Sequence, residues 1–209
     1  MVDGKATAAV RRRYDRNAAV YDLMEGAVER LLFSGWRKVQ WSRVQGKHIL
    51  EVGVGTGKNF SYYPENADIT AIDFSPKMLK IAISRAEKQK VNVRLQQMDV
   101  QSLEFPDNMF TTVVSTFVFC SVPDPVSGLR EIRRVCQPGG KVVMLEHVLS
   151  ANRILAALMN IANPLVVRLV GANINRKTVE NVEKSGLVIE KVTELGAGIV
   201  KLIEARKPE

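Results

Sequence analysis

Three glycines at alternate positions follow a carboxylate in Glu51-Val-Gly53-Val-Gly55-Thr-Gly57. The run that leads into them, His48-Ile-Leu-Glu51-Val, is mostly apolar, so the glycines fall where a strand must turn. Glycine supplies positive φ and lets a ligand lie against bare backbone. A helical pattern beginning at Lys58-Asn-Phe-Ser-Tyr-Tyr predicts a helix from about residue 57, whose start would add unpaired N–H groups and a positive dipole end. Two further carboxylates end the next two apolar runs. Asp73 closes Ile69-Thr-Ala-Ile-Asp73, and Asp99 closes the run from Val91. Carboxylates at successive strand ends can each accept hydrogen bonds from one polar ligand, although either could instead cap a helix or serve a turn. The glycine spacing fits neither the Walker phosphate loop, which needs Lys-Ser/Thr after a longer spacer, nor the Gly-x-Gly-x-x-Gly dinucleotide fingerprint.

Gly-x-Gly-x-Gly with an acid two positions ahead resembles motif I of the class I S-adenosylmethionine (SAM)-dependent methyltransferases. The resemblance continues through Phe110-Thr-Thr-Val-Val-Ser-Thr-Phe-Val-Phe, Leu129 to Gly140 and Lys141 to Glu146. It covers roughly residues 45–150 by motif and the whole chain by element order. S-adenosyl-L-methionine is then the implied cofactor and S-adenosyl-L-homocysteine the implied product. In that family the turn carrying Gly53, Gly55 and Gly57 packs under the methionine and ribose portions of SAM, and Glu51 receives the methionine ammonium. Asp73, with Phe74 beside it, would accept from the ribose hydroxyls, at the place where a Rossmann-type fold puts such an acid. Asp99 would take the adenine amino group, with the Val100 backbone N–H facing the ring. Thr116, at the end of the fourth strand, belongs to the same expected site.

Methyl transfer from a sulfonium is an in-line displacement that needs an aligned acceptor lone pair and, for a protonated acceptor, a way to lose the proton. No metal is required and no metal-ligand spacing is present. His147, one of two histidines, follows the fifth strand at its carboxyl end and is the candidate base; a structural, hydrogen-bonded histidine is the competing reading. Glu146 could orient it. His48 lies at the other end of the sheet and reads as structural. Tyr14 and the Tyr21-Asp22 pair match an N-terminal segment that in many relatives folds over the cofactor as a lid, which would exclude water. Seven residues apart on one helix, the two tyrosines could also simply pack on the core.

The elements that position these groups alternate. Residues 5–44 read as helix. After them come strand 48–53, strand 69–73, a helix from Ser75-Pro76 to Gln89, strand 91–98, strand 110–117, a helix to Cys136, the turn Pro138-Gly-Gly140 and strand 141–146. Ser75-Pro76 is a strong helix start, an oxygen to cap and a ring needing no hydrogen bond. Such βαβ succession predicts an α/β fold, a Rossmann-like, doubly wound, mostly parallel sheet. Residues 153–171 predict one or two helices broken at Pro164, and a short helix should begin at Asn175 and end near Gly186. Residues 187–195 and 199–205 read as a hairpin joined by Gly196-Ala-Gly198, the antiparallel edge of the family's seven-stranded sheet.

At 209 residues the chain is expected to form one domain: a helical cap (1–44), a cofactor core (45–150), substrate-side helices (151–186) and C-terminal strands (187–209). Cys120 and Cys136 read as buried thiols of a reducing compartment. No run reaches the roughly 18 apolar residues of a spanning helix, so a cytoplasmic location is expected. The net charge of +8 is uneven: residues 1–47 hold 10 basic and 5 acidic groups, 48–149 hold 11 and 11, and 150–209 hold 9 and 6. Basic flanks suit an anionic surface or are only solubilising charge. The opening Arg13 to Asp22 is similar to that of bacterial phosphatidylethanolamine N-methyltransferases and of ubiquinone/menaquinone C-methyltransferases. Phe119 to Val122, Glu146-His147-Val148 and Gly171 to Arg176 are similar to animal alkyl-thiol methyltransferases, which often have cysteine where Ala172 stands. These resemblances imply a small-molecule or lipid acceptor of amphipathic character, first the amine of phosphatidylethanolamine, with peripheral contact at the inner face of an anionic membrane. A quinone carbon, a thiol, or SAM binding without turnover are the alternatives. A nucleic-acid substrate is disfavoured by the lack of an appended RNA-binding domain and of an Asn/Asp-Pro-Pro-Tyr/Phe motif where Thr116-Phe-Val-Phe119 stands. The oligomeric state is left open.

Overall fold

The computed structural model describes residues 4–28, 33–169 and 171–209, with the backbone alone at 19–28, 169 and 197. Helices α1 (Gly4–Val28) and α2 (Ser34–Trp41) precede strand β1 (His48–Val52). Then follow β2 (Asp68–Asp73), α3 (Pro76–Gln89), β3 (Arg94–Gln97), β4 (Phe110–Thr116), α4 (Pro125–Val135) and β5 (Cys136–His147). The chain closes with α5 (Arg153–Leu169), α6 (Thr178–Lys184), β6 (Val188–Leu195) and β7 (Val200–Arg206). The seven strands form one sheet in the order β3-β2-β1-β4-β5-β7-β6, parallel except for β7, which runs antiparallel to both neighbours. Strand order reverses between β1 and β4, and a crevice opens outside the carboxyl ends of the strands at such a switch point.

Both faces of the sheet are covered, so β1 and β4 are buried along nearly their whole length instead of at alternate residues. Leu50, Val52, Val113 and Met144 pack on Leu129 and Ile132 of α4 and Val182 of α6. On the other face Ile49 and Val114 meet Trp41 and Val44, while Ala71 meets Leu79 and Ala82 of α3. Ser75 caps α3 by accepting from the Met78 N–H at 3.2 Å, with Pro76 in the first turn. Asp124 caps α4 in the same way, accepting from the Ser127 N–H at 3.0 Å.

Several boundaries depart from sequence expectation, each for a local reason. No α-helix follows the glycine turn. Residues 60–62 form one turn of 3-10 helix, and Tyr63 is extended (φ −64°, ψ 135°) as the residue before Pro64 prefers. The dipole of a following helix is therefore absent from the site. Pro138-Gly-Gly140 is not a turn between elements but a bulge inside β5, where the register against β4 jumps from Phe110↔Cys136 to Thr112↔Lys141. Strand β3 is confined to residues 94–97. Helix α5 runs unbroken through Pro164; the residue four positions back, Asn160, is exposed, so water can reach the carbonyl that the proline leaves unpaired. Of the long N-terminal helix reading, Gly4–Val28 and Ser34–Trp41 are helical as α1 and α2, and residues 29–32 lie outside the described residues.

Candidate active site

The carboxyl ends of β1, β2 and β4 and the segment after β3 surround a cleft. Its walls bring together Gly53, Gly55, Asp73, Phe74, Asp99, Val100 and Thr116, widely separated residues that sequence reasoning grouped. Tyr14 of α1 also lines it, with its ring edge-on to Phe74 at 5.8 Å. The Tyr21 side chain lies outside the described residues.

Gly53 and Gly55 hold positive φ, 68° and 56°, but face different surroundings. A side chain on Gly53 would collide with Val118, whereas one on Gly55 would meet no atom within 4 Å and would project into open space. The glycine at 55 therefore keeps the cleft floor bare. Gly57 is packed beneath the Phe60 ring and does not line the cleft.

Asp73 is buried at 6% exposure while still bordering the cleft. Its Oδ2 accepts from the Gly55 N–H at 2.9 Å and its Oδ1 from the Ser75 N–H at 2.8 Å. Burial pushes its carboxyl up to about 6, with the two N–H donors offsetting part of the shift and the nearby Asp15 adding to it. Asp15, on α1, itself accepts from the Ser75 hydroxyl at 2.6 Å, a tie between the N-terminal helix and the β2 end that nothing in the sequence marked. Asp99 accepts from both the backbone and the side-chain amide of Gln101, at 2.9–3.1 Å. The same Gln101 amide donates to Thr7 of α1, and its oxygen accepts from the Asp124 N–H that opens α4. Gln101 thus fixes three elements at one corner of the cleft.

Glu51 is placed elsewhere. Successive residues of a strand face opposite sides, and Glu51 points to the sheet face that carries α2. There its oxygens accept from Asn59 Nδ2 at 2.5 Å and from the Tyr63 hydroxyl. Burial raises its pKa, and these two donors together with the Arg37 charge pull it back. Asn59 also accepts from Arg37 and donates to Thr116, whose hydroxyl donates to Gln40. Glu51 therefore anchors α2 and the 3-10 turn behind the cleft floor.

His147 does not line the cleft either. Its ring stacks on Phe117 with centroids 4.5 Å apart and lies 6.1 Å from Phe33. Phe117 does line the cleft, and it adopts φ 58°, unusual for a bulky side chain and the kind of backbone strain that collects at functional sites. The clamp that holds it is Glu146, which is fully buried and accepts from the Ser115 hydroxyl at 2.9 Å and from the N–H groups of Val118 at 3.2 Å and Phe119 at 3.1 Å. Adjacent strand residues diverge, so Glu146 holds the loop while His147 packs against its aromatic tip.

Burial pushes Glu146 up to about 7, partly offset by those three donors. An acid whose folded pKa is raised above the ordinary value costs no stability below the unfolded pKa; the cost grows as pH rises through the window between the two, here about 4.5 to 7, towards ~3 kcal/mol. In Glu146→Gln this component is expected to vanish, so thermal denaturation from pH 5 to 8 should show a smaller loss of stability than in the native protein. Because a glutamine turns an NH₂ toward one backbone donor, turnover should fall as the Phe117 loop loosens. An unchanged pH–stability curve would mean that the Glu146 carboxyl titrates alike in the folded and unfolded protein.

Known proteins resemble the chain over the same region. A family described as a methyltransferase domain matches residues 50–144. The phosphatidylethanolamine N-methyltransferase of Cereibacter sphaeroides is 39% identical over 141 residues, which is 66% of this chain and 68% of that protein. The ubiquinone/menaquinone biosynthesis C-methyltransferase UbiE of Bdellovibrio bacteriovorus is 29% identical over 184 residues, 84% of this chain and 78% of that one. Among solved structures, a SAM-dependent methyltransferase of Methanosarcina mazei superposes with a TM-score of 0.66 at 21% identity, over 81% of this chain and 97% of that one, a likeness of fold. With its strand order, its glycine turn at the switch point and these relatives, the chain belongs to the class I SAM-dependent methyltransferases and uses S-adenosyl-L-methionine as its methyl donor.

Proposed function

We propose that this methyltransferase acts on the amine of phosphatidylethanolamine. The observation that carries the reading is the 39% identity to a phosphatidylethanolamine N-methyltransferase over 68% of that enzyme's length. The cleft suits the donor: a bare backbone floor at Gly55, a carboxylate at Asp73 that borders the cavity, and aromatic or aliphatic walls from Phe74, Phe117 and Met98. When bound, SAM supplies an electrophilic methyl group on a sulfonium. In this reading Asp73 accepts from the ribose hydroxyls, Asp99 and the Val100 N–H face the adenine, and the glycine turn lies under the methionine end. Tyr14 closes the cleft from α1, and Glu51 acts behind the floor by fixing Asn59 and Thr116.

An ammonium acceptor must shed a proton before its lone pair can form the N–C bond. The cleft's carboxylates, Asp73 and Asp99, are held by backbone and amide donors, and His147 stacks on the cleft-lining Phe117 without lining the cavity itself. The proton is accordingly assigned to water, with catalysis resting on alignment and exclusion of bulk solvent. His147→Asn is then expected to lower kcat by less than about tenfold, within what loss of one packing contact explains. A loss above a hundredfold together with disappearance of the basic limb of the pH–rate profile would make His147 the base.

A quinone carbon is the second reading, favoured by the greater share of the chain, 84%, that aligns with the UbiE relative. Incubation with methyl-labelled SAM and, separately, phosphatidylethanolamine, a demethylated menaquinone and a thiol distinguishes them by product mass. Methylated phosphatidylethanolamine supports the first reading; label in the quinone alone, or in the thiol alone, overturns it.

A further inference from the structure

Helix α5 presents an apolar stripe that is exposed among the described residues. Ile154, Leu158, Ile161 and Leu165 are exposed by 76%, 59%, 77% and 61%, although large aliphatic side chains are usually buried. Their spacing of four, three and four residues at 100° per residue places them within about 60° of one another around the helix. The opposite side of α5 packs inward through the buried Met159 and the half-buried Leu155 and Val166. It is pinned by Asn163, whose Oδ1 accepts from the Ile174 N–H at 2.9 Å. The helix is thus fixed with one aliphatic edge turned to solvent.

Charge identifies what that edge meets. Between Glu146 and Glu180 the sequence contains no acidic residue, while Arg153, Arg168, Arg176 and Lys177 are basic. Arg153 and Arg168 are exposed at the two ends of α5, bracketing the stripe. An aliphatic row flanked by cations and free of carboxylates matches a helix lying in the interface of an anionic bilayer. A protein partner covering the same row would need no such exclusion of acids. Among the described residues no helix is long and apolar enough to cross a membrane, so α5 would lie on the surface.

The position of the helix gives the contact a purpose. Just past its C-terminal end Gly171 sits against Arg13 and Tyr14 of α1, and Asn173 donates to the Cys120 carbonyl from both its backbone and its side chain, at 2.8 and 3.1 Å. Arg176 donates to the Val122 carbonyl at 2.8 Å. Tyr14 and Val122 line the cleft, so the segment leaving α5 is built into the cleft rim.

We propose that the outer face of α5 is a membrane-docking surface: Ile154, Leu158, Ile161 and Leu165 enter the acyl boundary of an anionic bilayer, Arg153 and Arg168 meet its phosphates, and the cleft rim is thereby held at the depth of a lipid headgroup. This deepens the lipid-amine reading and rests on it for its purpose, not for its test.

Cosedimentation of the full chain with phosphatidylglycerol/phosphatidylcholine vesicles, with phosphatidylcholine vesicles alone, and at low and high salt examines the surface directly. The native protein should bind the anionic vesicles, lose most of that binding in high salt, and bind the neutral ones weakly. Replacing the four stripe residues with serine, or as a gentler variant Leu158→Asn with Arg168→Glu, should cut the bound fraction tenfold or more while SAM affinity and the circular dichroism spectrum stay native. Absence of vesicle binding by the native protein overturns the proposal, as does a stripe variant that binds like the native chain. Conversion of a dimer to a monomer by the stripe variant, without vesicle binding, assigns the face to a second copy and also overturns it. Turnover of a short-chain, monomeric phosphatidylethanolamine is measured alongside: if the native chain binds vesicles but leaves that lipid unmethylated, the acceptor reading fails and the docking surface stands, and the reverse result separates them the other way.

Discussion

Gly55→Val is expected to leave a folded protein that no longer binds SAM measurably, a loss of a hundredfold or more in affinity. The Cβ of residue 55 would meet no atom of the protein, so the substitution does not disrupt the core; it places a branched side chain on the cleft floor instead. The backbone there has φ 56°, left-handed territory that costs a β-branched residue about 1–2 kcal/mol. That cost lowers the melting temperature by a few degrees, well short of unfolding. Gly55→Ala separates the two effects, because it carries most of the backbone strain with far less volume. Calorimetric titration with SAM should therefore rank native above alanine above valine, while thermal denaturation should group the two variants together. A valine variant that binds SAM normally would mean that the cofactor does not lie on this turn.

The same glycine shows what a sequence can and cannot carry. Alternating glycines after an apolar run announce a strand that turns against a ligand, because only glycine supplies both the positive φ and the space. Ser75-Pro76 likewise announces a helix start from local chemistry alone, and α3 begins there. The Lys58 to Tyr63 stretch misled because its periodicity is helical but its fate is tertiary: Tyr63 is drawn to the buried Glu51 and Pro64 fixes its backbone. Glu51 shows the matching limit for a single side chain. Its place in the motif is legible, whereas the face it points to depends on strand register and on α2, which are properties of the whole sheet.

Other features left no local trace. Gln101 follows Asp99 and Val100 in an unremarkable polar run, yet it joins Thr7, Asp99 and Asp124, residues separated by most of the N-terminal half. The left-handed conformation of Phe117 contradicts its own residue preference and is sustained by Glu146 from the next strand. In α5 nearly every position is small or apolar, so periodicity could not say which edge would be covered. The inner edge is chosen by Asn163 and the 171–176 segment, contacts that exist only once the fold has formed. Burial of a polar group is thus the recurring signature of the site residues that sequence pattern missed.

Asp73 is the second residue whose loss should be severe, and its effect should depend on pH. Asp73→Ala is expected to remove charged hydrogen bonds to the ribose worth about 1.5–3 kcal/mol, weakening SAM tenfold or more. It also strands the Gly55 and Ser75 N–H groups that the carboxylate now satisfies, so the glycine turn should loosen as well. The carboxyl titrates near 6 because burial opposes its charge. In the free protein this raised value makes the ionised group a cost to stability that is absent below the ordinary pKa near 4 and complete above about 6. Ribose hydroxyls donate to the ionised form, so binding recovers part of that cost and SAM affinity should rise as pH increases from 5 to 7. Asp73→Asn keeps the shape and one acceptor but cannot ionise; its SAM affinity should be lower than native at pH 7.5, converge on the native value near pH 5, and be flat between. Titration calorimetry of both proteins across that range decides the matter. Parallel curves for native and asparagine proteins would place the ribose elsewhere and leave Asp73 as the carboxylate that ties the glycine turn to the start of α3.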